Sequence, residues 1–222
     1  MALILGVSTE SSKKNEEEIK LALGEAGYTC ACCGIMSEPN NKGKLSIEKN
    51  GFMYLVIDDE GKEKVVCTLC YYSLNMDKLF APTFIYYPWL SQEQINYLLH
   101  YFYTIMQSGS KSLKNKANAY VFKLNSFSFH LTKIDPTLVE EPFKLIRLLK
   151  WLQMEEPENY RLRNDKYLKG IRLIPFSIPT VSPDIMAVFK YSESLLREES
   201  MEDKWQAVYL NHVKARQEGL LA

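Results

Sequence analysis

A chain of 222 residues with 46% hydrophobic and 24% charged side chains can bury a substantial core and is neither disordered nor fibrous. Its 27 basic and 27 acidic side chains cancel, which excludes the bulk electrostatic attraction on which most nucleic-acid-binding proteins rely. No apolar stretch reaches the roughly 18 residues that a membrane span needs. The N-terminal sequence lacks the basic start of a signal peptide, so we expect a cytosolic protein.

The first predicted element is a short helix over residues 14–26, with acidic side chains at its positive N-terminal end. It leads into the first of two cysteine pairs, Cys30-x-x-Cys33, a spacing that places both sulfurs on one side of a tight turn. Gly34 follows the pair, and its missing Cβ lets backbone amides turn toward the sulfurs. This is the local pattern of a zinc knuckle.

Between the first and second cysteine pairs, the pattern indicates antiparallel strands. The predicted elements are strands over 44–48 and 52–58, a turn over 58–61, a strand over 64–67 and a helical turn over 71–78. The second pair, Cys67-x-x-Cys70, lies where the last strand meets that helix. A knuckle, a hairpin and a helix that carries the last ligands form the order of a treble-clef zinc fold. We therefore predict an α+β fold with a treble-clef core like that of HNH nucleases, elaborated by several helices.

Two such cysteine turns brought together offer the tetrahedron of thiolates that Zn²⁺ prefers. We predict one structural zinc ion with Cys30, Cys33, Cys67 and Cys70 as its ligands. The fifth cysteine, Cys32, is left outside the site because only the Cys30/Cys33 choice gives the knuckle spacing, although it remains a candidate substitute ligand. The alternatives are reduced buried cysteines and redox chemistry. An odd cysteine count without an export signal argues against disulfides.

Beyond the second cysteine pair, the hydrophobic spacing predicts mainly helices. Ser91 and Gln94 form a predicted capping box for a helix that continues to Met106. The other predictions are extended segments over 84–88 and 171–176, a linker over 107–116, an undecided element over 117–131, a helix start at 135–136, and helices over 143–154, 157–169 and beyond 182. We accordingly divide the chain into a zinc-knuckle region over 1–90, a helical and mixed region packed on it over 91–181, and a C-terminal helix or helix pair over 182–222.

A catalytic role finds little support in the residues. Nucleases with this type of core need a histidine that activates water and binds the catalytic cation. The three histidines are His100, His130 and His212, so none lies in the first 99 residues, where the knuckles and the hairpin are predicted. No phosphate-binding glycine loop is present either. We expect no enzymatic activity, and a degenerate HNH-type nuclease remains an alternative.

Binding is the remaining class of function. Zinc knuckles with basic and aromatic neighbours bind single-stranded nucleic acid in some proteins, but the lysines bordering the predicted hairpin alternate with Glu48, Asp58 and Glu63. Clusters such as Tyr71-Tyr72 and 86–89 contain the side chains that carry energy in protein–protein interfaces. We expect a protein-binding module, with a zinc-ribbon nucleic-acid-binding protein as the alternative.

Several stretches of the chain resemble the DotN (IcmJ) family of type IVB Dot/Icm secretion systems. They are Tyr28-Thr-Cys-Ala-Cys-Cys-Gly34, Cys67-Thr-Leu-Cys70, Ile85-Tyr-Tyr-Pro-Trp-Leu-Ser-Gln-Glu-Gln-Ile-Asn96 and Ile171-Arg-Leu-Ile-Pro175. Their order and approximate spacing agree over about residues 15 to 180. The last two stretches make the resemblance specific, because cysteine knuckles occur in many families.

The resemblance implies a zinc-bearing, nuclease-like core that has lost catalysis and serves as an adaptor. It implies a place in the cytoplasmic coupling complex at the inner membrane, where such a protein binds the C-terminal extension of the coupling ATPase and supports effector recruitment. It also implies that the four cysteines are zinc ligands. The chain departs from the family in its first 14 residues, in a longer stretch between the knuckles, in the lysine-rich linker and in the tail.

Overall fold

The computed structural model describes residues 3, 5–7, 14–37, 39, 46–58 and 61–176. Over these residues, helices combine with two small antiparallel sheets, which confirms the predicted α+β class. The tail helices predicted beyond residue 182, and His212 among them, lie outside the described residues. The elements are α1 Glu16–Glu25, α2 Ser46–Lys49, β1 Met53–Ile57, β2 Glu63–Cys67, α3 Thr68–Leu74, a 3-10 helix Met76–Lys78, β3 Thr83–Tyr86, α4 Gln92–Ser108, α5 Lys111–Ser126, α6 Ser128–Thr132, α7 Thr137–Glu140, α8 Phe143–Glu155, α9 Pro157–Arg161, α10 Arg163–Lys166 and β4 Ile171–Ile174.

Helix α1 begins as the sequence predicts. The Asn15 side chain accepts hydrogen bonds from the backbone amides of Glu17 and Glu18, and the Glu18 carboxylate accepts one from the Asn15 amide in return. This reciprocal capping satisfies amides that the first helical turn leaves without partners. The buried side chain of Leu23 anchors the helix to the core.

The first sheet is the hairpin β1–β2, which pairs Met53 with Cys67 and Ile57 with Glu63. The prediction of a strand over 44–48 is wrong, because residues 46–49 form helix α2. The α2 carbonyl of Glu48 accepts from the Gly51 amide, so the local chain closes on itself instead of pairing with β1. The hydrogen bonds of this segment are therefore local, and it does not extend the two-stranded hairpin.

The second sheet joins two segments that are far apart in sequence. Strand β3 pairs antiparallel with β4, with Thr83 opposite Ile174 and Tyr86 opposite Ile171. Both segments were predicted to be extended, but their pairing was not predicted. Gly170 precedes β4 with a φ of +75°, and a Cβ there would lie 2.5 Å from Cε2 of the Tyr86 ring. The glycine thus lets the two strands approach closely.

The predicted linker over 107–116 is wrong, because α4 continues to Ser108 and α5 begins at Lys111. Gly109 and Ser110 alone join the two helices, and the Ser110 hydroxyl accepts a hydrogen bond from the Leu113 amide. The undecided segment over 117–131 is helical. Its apolar residues Ala117, Val121 and Leu124 recur at helical spacing and are buried, with α4 as the principal neighbour of α5.

Helix α8, which begins directly after Pro142, confirms the helix predicted over 143–154. The helix predicted over 157–169 is divided at Leu162 into two short helices, α9 and α10. Arg163, the first residue of α10, is buried, and its guanidinium bonds to two parts of the chain. Nε donates to the Leu5 carbonyl of the N-terminal segment over 2.8 Å, and Nη1 donates to the Tyr160 carbonyl of α9 over 2.9 Å. Buried residues from Leu3 to Phe176 belong to a single apolar cluster.

Candidate metal centre

The first cysteine pair lies on a tight turn whose backbone hydrogen bonds hold it in place. The Cys30 amide donates to the Ile35 carbonyl over 2.8 Å, and the Gly34 amide donates to the Cys30 carbonyl over 2.9 Å. Gly34 has a φ of +75°, the left-handed conformation that glycine adopts without cost. The Ala31 amide also donates to the Val65 carbonyl over 2.8 Å, which fixes the turn against β2.

The second cysteine pair lies where β2 ends and α3 begins. Cys67 is the last residue of β2 and the N-cap of α3, and Cys70 lies in the first turn of that helix. Backbone amides at a helix N-terminus carry partial positive charge and favour a thiolate over a thiol. Both sulfurs therefore lie in a position that suits cation binding.

The two turns bring together the four cysteines that the sequence predicts as ligands. The Sγ atoms of Cys30, Cys33, Cys67 and Cys70 all lie within 4.8 Å of one another, and those of Cys33 and Cys67 are 3.6 Å apart. Sulfurs bound tetrahedrally at the usual zinc–sulfur distance of about 2.3 Å would be about 3.8 Å apart. The cysteines are free thiols, three buried and Cys33 half-buried, and they can hold a metal ion such as zinc.

The pKa values of the buried thiols Cys30, Cys67 and Cys70 depend on the groups around them. Hydrogen bonds donated by the other thiols, that of Cys32 first, hold the pKa of Cys30 far below its ordinary value. The hydrogen bond to Cys30 raises the pKa of Cys67, while burial above all raises the pKa of Cys70. A divalent cation favours the thiolate form of its ligands through its charge. Metal binding at this cluster would therefore release protons and weaken as the pH falls.

The fifth cysteine lies beside the four without joining them. Cys32 is half-buried, and its hydrogen bond to Cys30 raises its pKa, so it is held as a neutral thiol. It is not among the four cysteines whose sulfurs are mutually within 4.8 Å. This geometry favours the assignment of Cys30 and Cys33 as the first ligand pair.

A buried amide on α4 extends the site beyond the cysteines. The Asn96 side chain is fully buried, and its Nδ2 donates to Cys70 Sγ over 3.4 Å and to Ser73 Oγ over 3.0 Å. Ser73 Oγ in turn donates to the Leu69 carbonyl over 2.9 Å. Hydrogen bonds to a ligand sulfur orient it and stabilise its negative charge. Asn96 is therefore placed to support a metal-bound thiolate.

The same amide connects the cysteine cluster to the second sheet. Gln92 precedes Asn96 by one helical turn, and its Nε2 donates both to Asn96 Oδ1 over 2.8 Å and to the Leu173 carbonyl over 2.9 Å. The Leu173 amide donates back to Gln92 Oε1 over 2.8 Å. The stretches 85–96 and 171–175 are thus joined by hydrogen bonds beside the second cysteine pair.

The sequence analysis did not identify Gln92 and Asn96 as residues of the site. A signal was present, since both polar side chains occur one turn apart on the face of α4 that also carries Ile95 and Leu99. Polar groups on a buried helix face require hydrogen-bond partners. From that requirement one could have predicted that Gln92 and Asn96 have buried hydrogen-bond partners. It would not have shown that one partner is Cys70.

The two described histidines lie on α4 and α6, and not on the cysteine turns or the hairpin. His100 is buried on α4, and burial lowers the pKa of its imidazole to about 4. It is therefore neutral at pH 7 and does not supply a positive charge. His130 is exposed on α6, where its ring stacks on Phe127 with centroids 5.4 Å apart.

The hairpin beside the site shows the mixed charge field that its sequence indicates. Lys64 Nζ lies 2.5 Å from Asp58 Oδ2, and Lys14 Nζ lies 2.5 Å from Glu63 Oε2. The predicted interface aromatics nearby pack largely on one another, since the rings of Tyr71 and Tyr54 stack with centroids 4.0 Å apart. These two lysines are thus paired with carboxylates, and the Tyr71 ring packs on a neighbouring ring.

The chain matches no protein-family model, and no curated protein matches it significantly. None of the helices over the described residues is long and apolar enough to cross a bilayer.

Proposed function

We propose that this protein is a non-catalytic adaptor whose core is a treble clef held by one structural Zn²⁺, as the resemblance to the DotN (IcmJ) family implies. In this proposal it belongs to a type IVB secretion coupling complex at the inner membrane. It binds the C-terminal extension of the coupling ATPase there and supports effector recruitment. Four steps support the proposal: the order of the elements, the donor set, the network on α4, and the placement of the histidines.

The order of the elements supports the treble-clef assignment. A cysteine turn at residues 30–33 is followed by the hairpin β1–β2 and then by α3, and the second ligand pair lies at the hairpin–helix junction. In a treble clef the knuckle and the first turn of the helix supply the four ligands. The positions of Cys67 as N-cap and Cys70 in the first turn of α3 agree with that arrangement.

The donor set supports zinc in a structural role. Four thiolates are soft ligands that select zinc over the hard cations magnesium and calcium. Four sulfurs also fill a tetrahedral coordination sphere, so no position remains for a water molecule that an enzyme would activate. A metal with closed coordination contributes folding free energy and holds two turns of chain together.

The observation that carries the adaptor proposal is the network through Gln92 and Asn96. The stretches that make the resemblance specific lie 81 residues apart at Gln92 and Leu173, and hydrogen bonds join them at the second cysteine pair. The resemblance therefore falls on residues that act together in three dimensions. Shared residues of this kind support a shared core fold and, with it, a shared role.

The absence of catalysis is proposed from the histidines. The first 99 residues contain none, so neither the knuckle nor the hairpin can supply an imidazole to a catalytic cation. His100 lies on α4, buried and neutral at pH 7, outside the hairpin where a nuclease of this type holds its base. The proposal expects no DNA cleavage with Mg²⁺, Mn²⁺ or Ni²⁺, and robust nicking by clean protein would contradict it.

Co-expression tests the adaptor role directly. The protein is produced with the C-terminal extension of the coupling ATPase from its own organism, purified through a tag on that extension and examined by size-exclusion chromatography at high salt. We expect a stoichiometric complex that contains one zinc ion per copy of this chain. Failure to co-elute, with zinc content and folding intact, would leave the resemblance as one of fold alone.

A further inference from the structure

A long segment of this electrically balanced chain carries positive charge only. Residues 94–134 contain no aspartate and no glutamate, but they contain five lysines, at positions 111, 114, 116, 123 and 133. The segment comprises most of α4 and all of α5 and α6. The zero net charge of the whole chain therefore conceals a strongly polarised part of its surface.

The positive charge lies on the outer side of α5. Lys111, Lys116 and Lys123 are exposed, whereas Lys114 is half-buried and donates to the Gln107 carbonyl over 2.8 Å. The principal neighbours of α5 are α4, β3 and α6, and among these elements only α4 contains a carboxylate, Glu93. Among the described elements that principally contact α5, no row of carboxylates lies opposite its lysines.

Two bare aromatic side chains accompany these lysines. Phe122 on α5 is 77% exposed, and Phe129 on α6 is 65% exposed. They are seven residues apart in the chain, on the consecutive helices α5 and α6. The Lys133 ammonium lies 5.5 Å from the centre of the Phe129 ring, so the charge and the aromatic surface are adjacent. Exposed phenylalanines among lysines mark an interaction surface.

We propose that this surface, formed by Lys111, Lys116, Phe122, Lys123, Phe129 and Lys133, binds the headgroup region of an anionic lipid bilayer. The lysines would contact lipid phosphates, and the two phenyl rings would enter the boundary between headgroups and acyl chains. The inference goes beyond the adaptor role, because it gives the chain a membrane contact that no partner mediates. It does not depend on the identity of that partner.

The composition of the surface favours a bilayer over single-stranded nucleic acid. Exposed lysines and phenylalanines on α5 and α6 are the combination with which interfacial helices contact headgroups and enter the boundary with the acyl chains. A flat bilayer can contact both rings and the flanking lysines at once.

Vesicle co-sedimentation with the full-length, zinc-loaded protein tests the inference. Binding to phosphatidylcholine vesicles is compared with binding to vesicles that also contain phosphatidylglycerol, at low and at physiological salt. We expect binding only to the anionic vesicles, and we expect it to weaken as salt rises. The variant Lys116→Gln/Lys123→Gln should lower the partition coefficient about 30-fold, since each lysine contributes about fivefold.

A matched control removes the same charge elsewhere. Lys20→Gln/Lys144→Gln neutralises two lysines that pair with Glu16 on α1 and with Glu141 beside α8, and it should change partitioning less than twofold. Phe122→Ser/Phe129→Ser should lower partitioning about tenfold without changing the net charge. All substituted side chains are exposed, so circular dichroism and zinc content should match the parent protein.

Three results would overturn the inference. They are equal binding to neutral and anionic vesicles, equal losses in the α5 variant and the matched control, and tight binding of a labelled oligothymidine with no binding to vesicles. The last result would assign the surface to single-stranded nucleic acid. None of the three would bear on co-purification with the coupling ATPase, which tests the proposed function separately.

Discussion

Replacing Asn96 with leucine should weaken zinc binding while leaving the fold in place. The substitution keeps a branched side chain of similar size in a fully buried position, but it removes the Nδ2 donor that lies 3.4 Å from Cys70 Sγ. Gln92 Nε2 keeps the Leu173 carbonyl as its acceptor, and Ser73 Oγ keeps the Leu69 carbonyl. The change therefore falls mainly on the sulfur.

The magnitude follows from these contacts. Loss of a hydrogen bond to a metal ligand typically lowers metal affinity by 10- to 100-fold, or about 1.4 to 2.7 kcal/mol. The protein also loses the hydrogen bonds to Gln92 and Ser73, each worth about 1 kcal/mol to folding. We therefore expect a measurable loss of stability together with a selective loss of zinc affinity.

The assay measures zinc affinity by competition with a chelator, and it follows the thiolate-to-metal charge-transfer band of the Co²⁺-substituted protein. Thr104→Val is the matched control, because Thr104 is also buried on α4 and its hydroxyl donates to the His100 carbonyl of the same helix. The control should lose stability but retain the wild-type zinc affinity and cobalt spectrum. If Asn96→Leu kept its zinc affinity within twofold, the supporting role of Asn96 would be refuted.

Three further predictions concern the cysteines, a buried base and a glycine. Cys70→Ser should abolish stoichiometric zinc binding and unfold the N-terminal half. Cys32→Ser should keep both the zinc and the fold of that half. Metal analysis and circular dichroism would show the difference. Because burial lowers the pKa of His100 to about 4, stability should fall as the pH drops from about 6.5 to 4, by about 3 kcal/mol in urea unfolding, and His100→Gln should flatten that slope. Gly170→Ala should cost at least about 2 kcal/mol, since its Cβ would meet the Tyr86 ring at a φ of +75°.

Each of these predictions has an outcome that contradicts it. Zinc retained at one equivalent in Cys70→Ser would contradict the prediction that the site requires this cysteine. The free energy of unfolding falls with falling pH because the unfolded state binds a proton at His100 below about pH 6.5. The buried imidazole of the folded state binds that proton only near pH 4. An unchanged pH slope in His100→Gln would assign the acid sensitivity to groups other than His100. A Gly170→Ala variant as stable as the parent would mean that β3 and β4 can separate without cost.

The predictions from sequence succeeded where a short-range pattern carries the structure. The α4 capping box at Ser91 and the α8 helix after Pro142 both follow from a few neighbouring residues. The same holds for the hairpin turn into β2, where Gly61 adopts a φ of +78°. These local choices depend on backbone hydrogen bonds within a few residues, which the sequence displays directly.

The failures have one physical cause in common. The strand predicted over 44–48 and the linker predicted over 107–116 both required knowledge of what the segment packs against. The serine- and lysine-rich segment at 107–116 resembles a loop by composition, yet Ala117, Val121 and Leu124 bury one face of the helix that begins there. Burial of an apolar face by tertiary packing outweighs weak local propensity.

The sequence by itself determined the metal-ligand candidates, because a spacing of two residues brings cysteine sulfurs together within one turn of chain. Only the tertiary structure decided that the two turns meet, that β3 pairs with β4, and that Asn96 reaches Cys70. Contacts between residues so distant in sequence depend on how all the elements pack into one core. Each such contact forms only if its packing free energy exceeds the entropy cost of closing a long loop. A local sequence pattern does not show which pair of distant residues meets that condition.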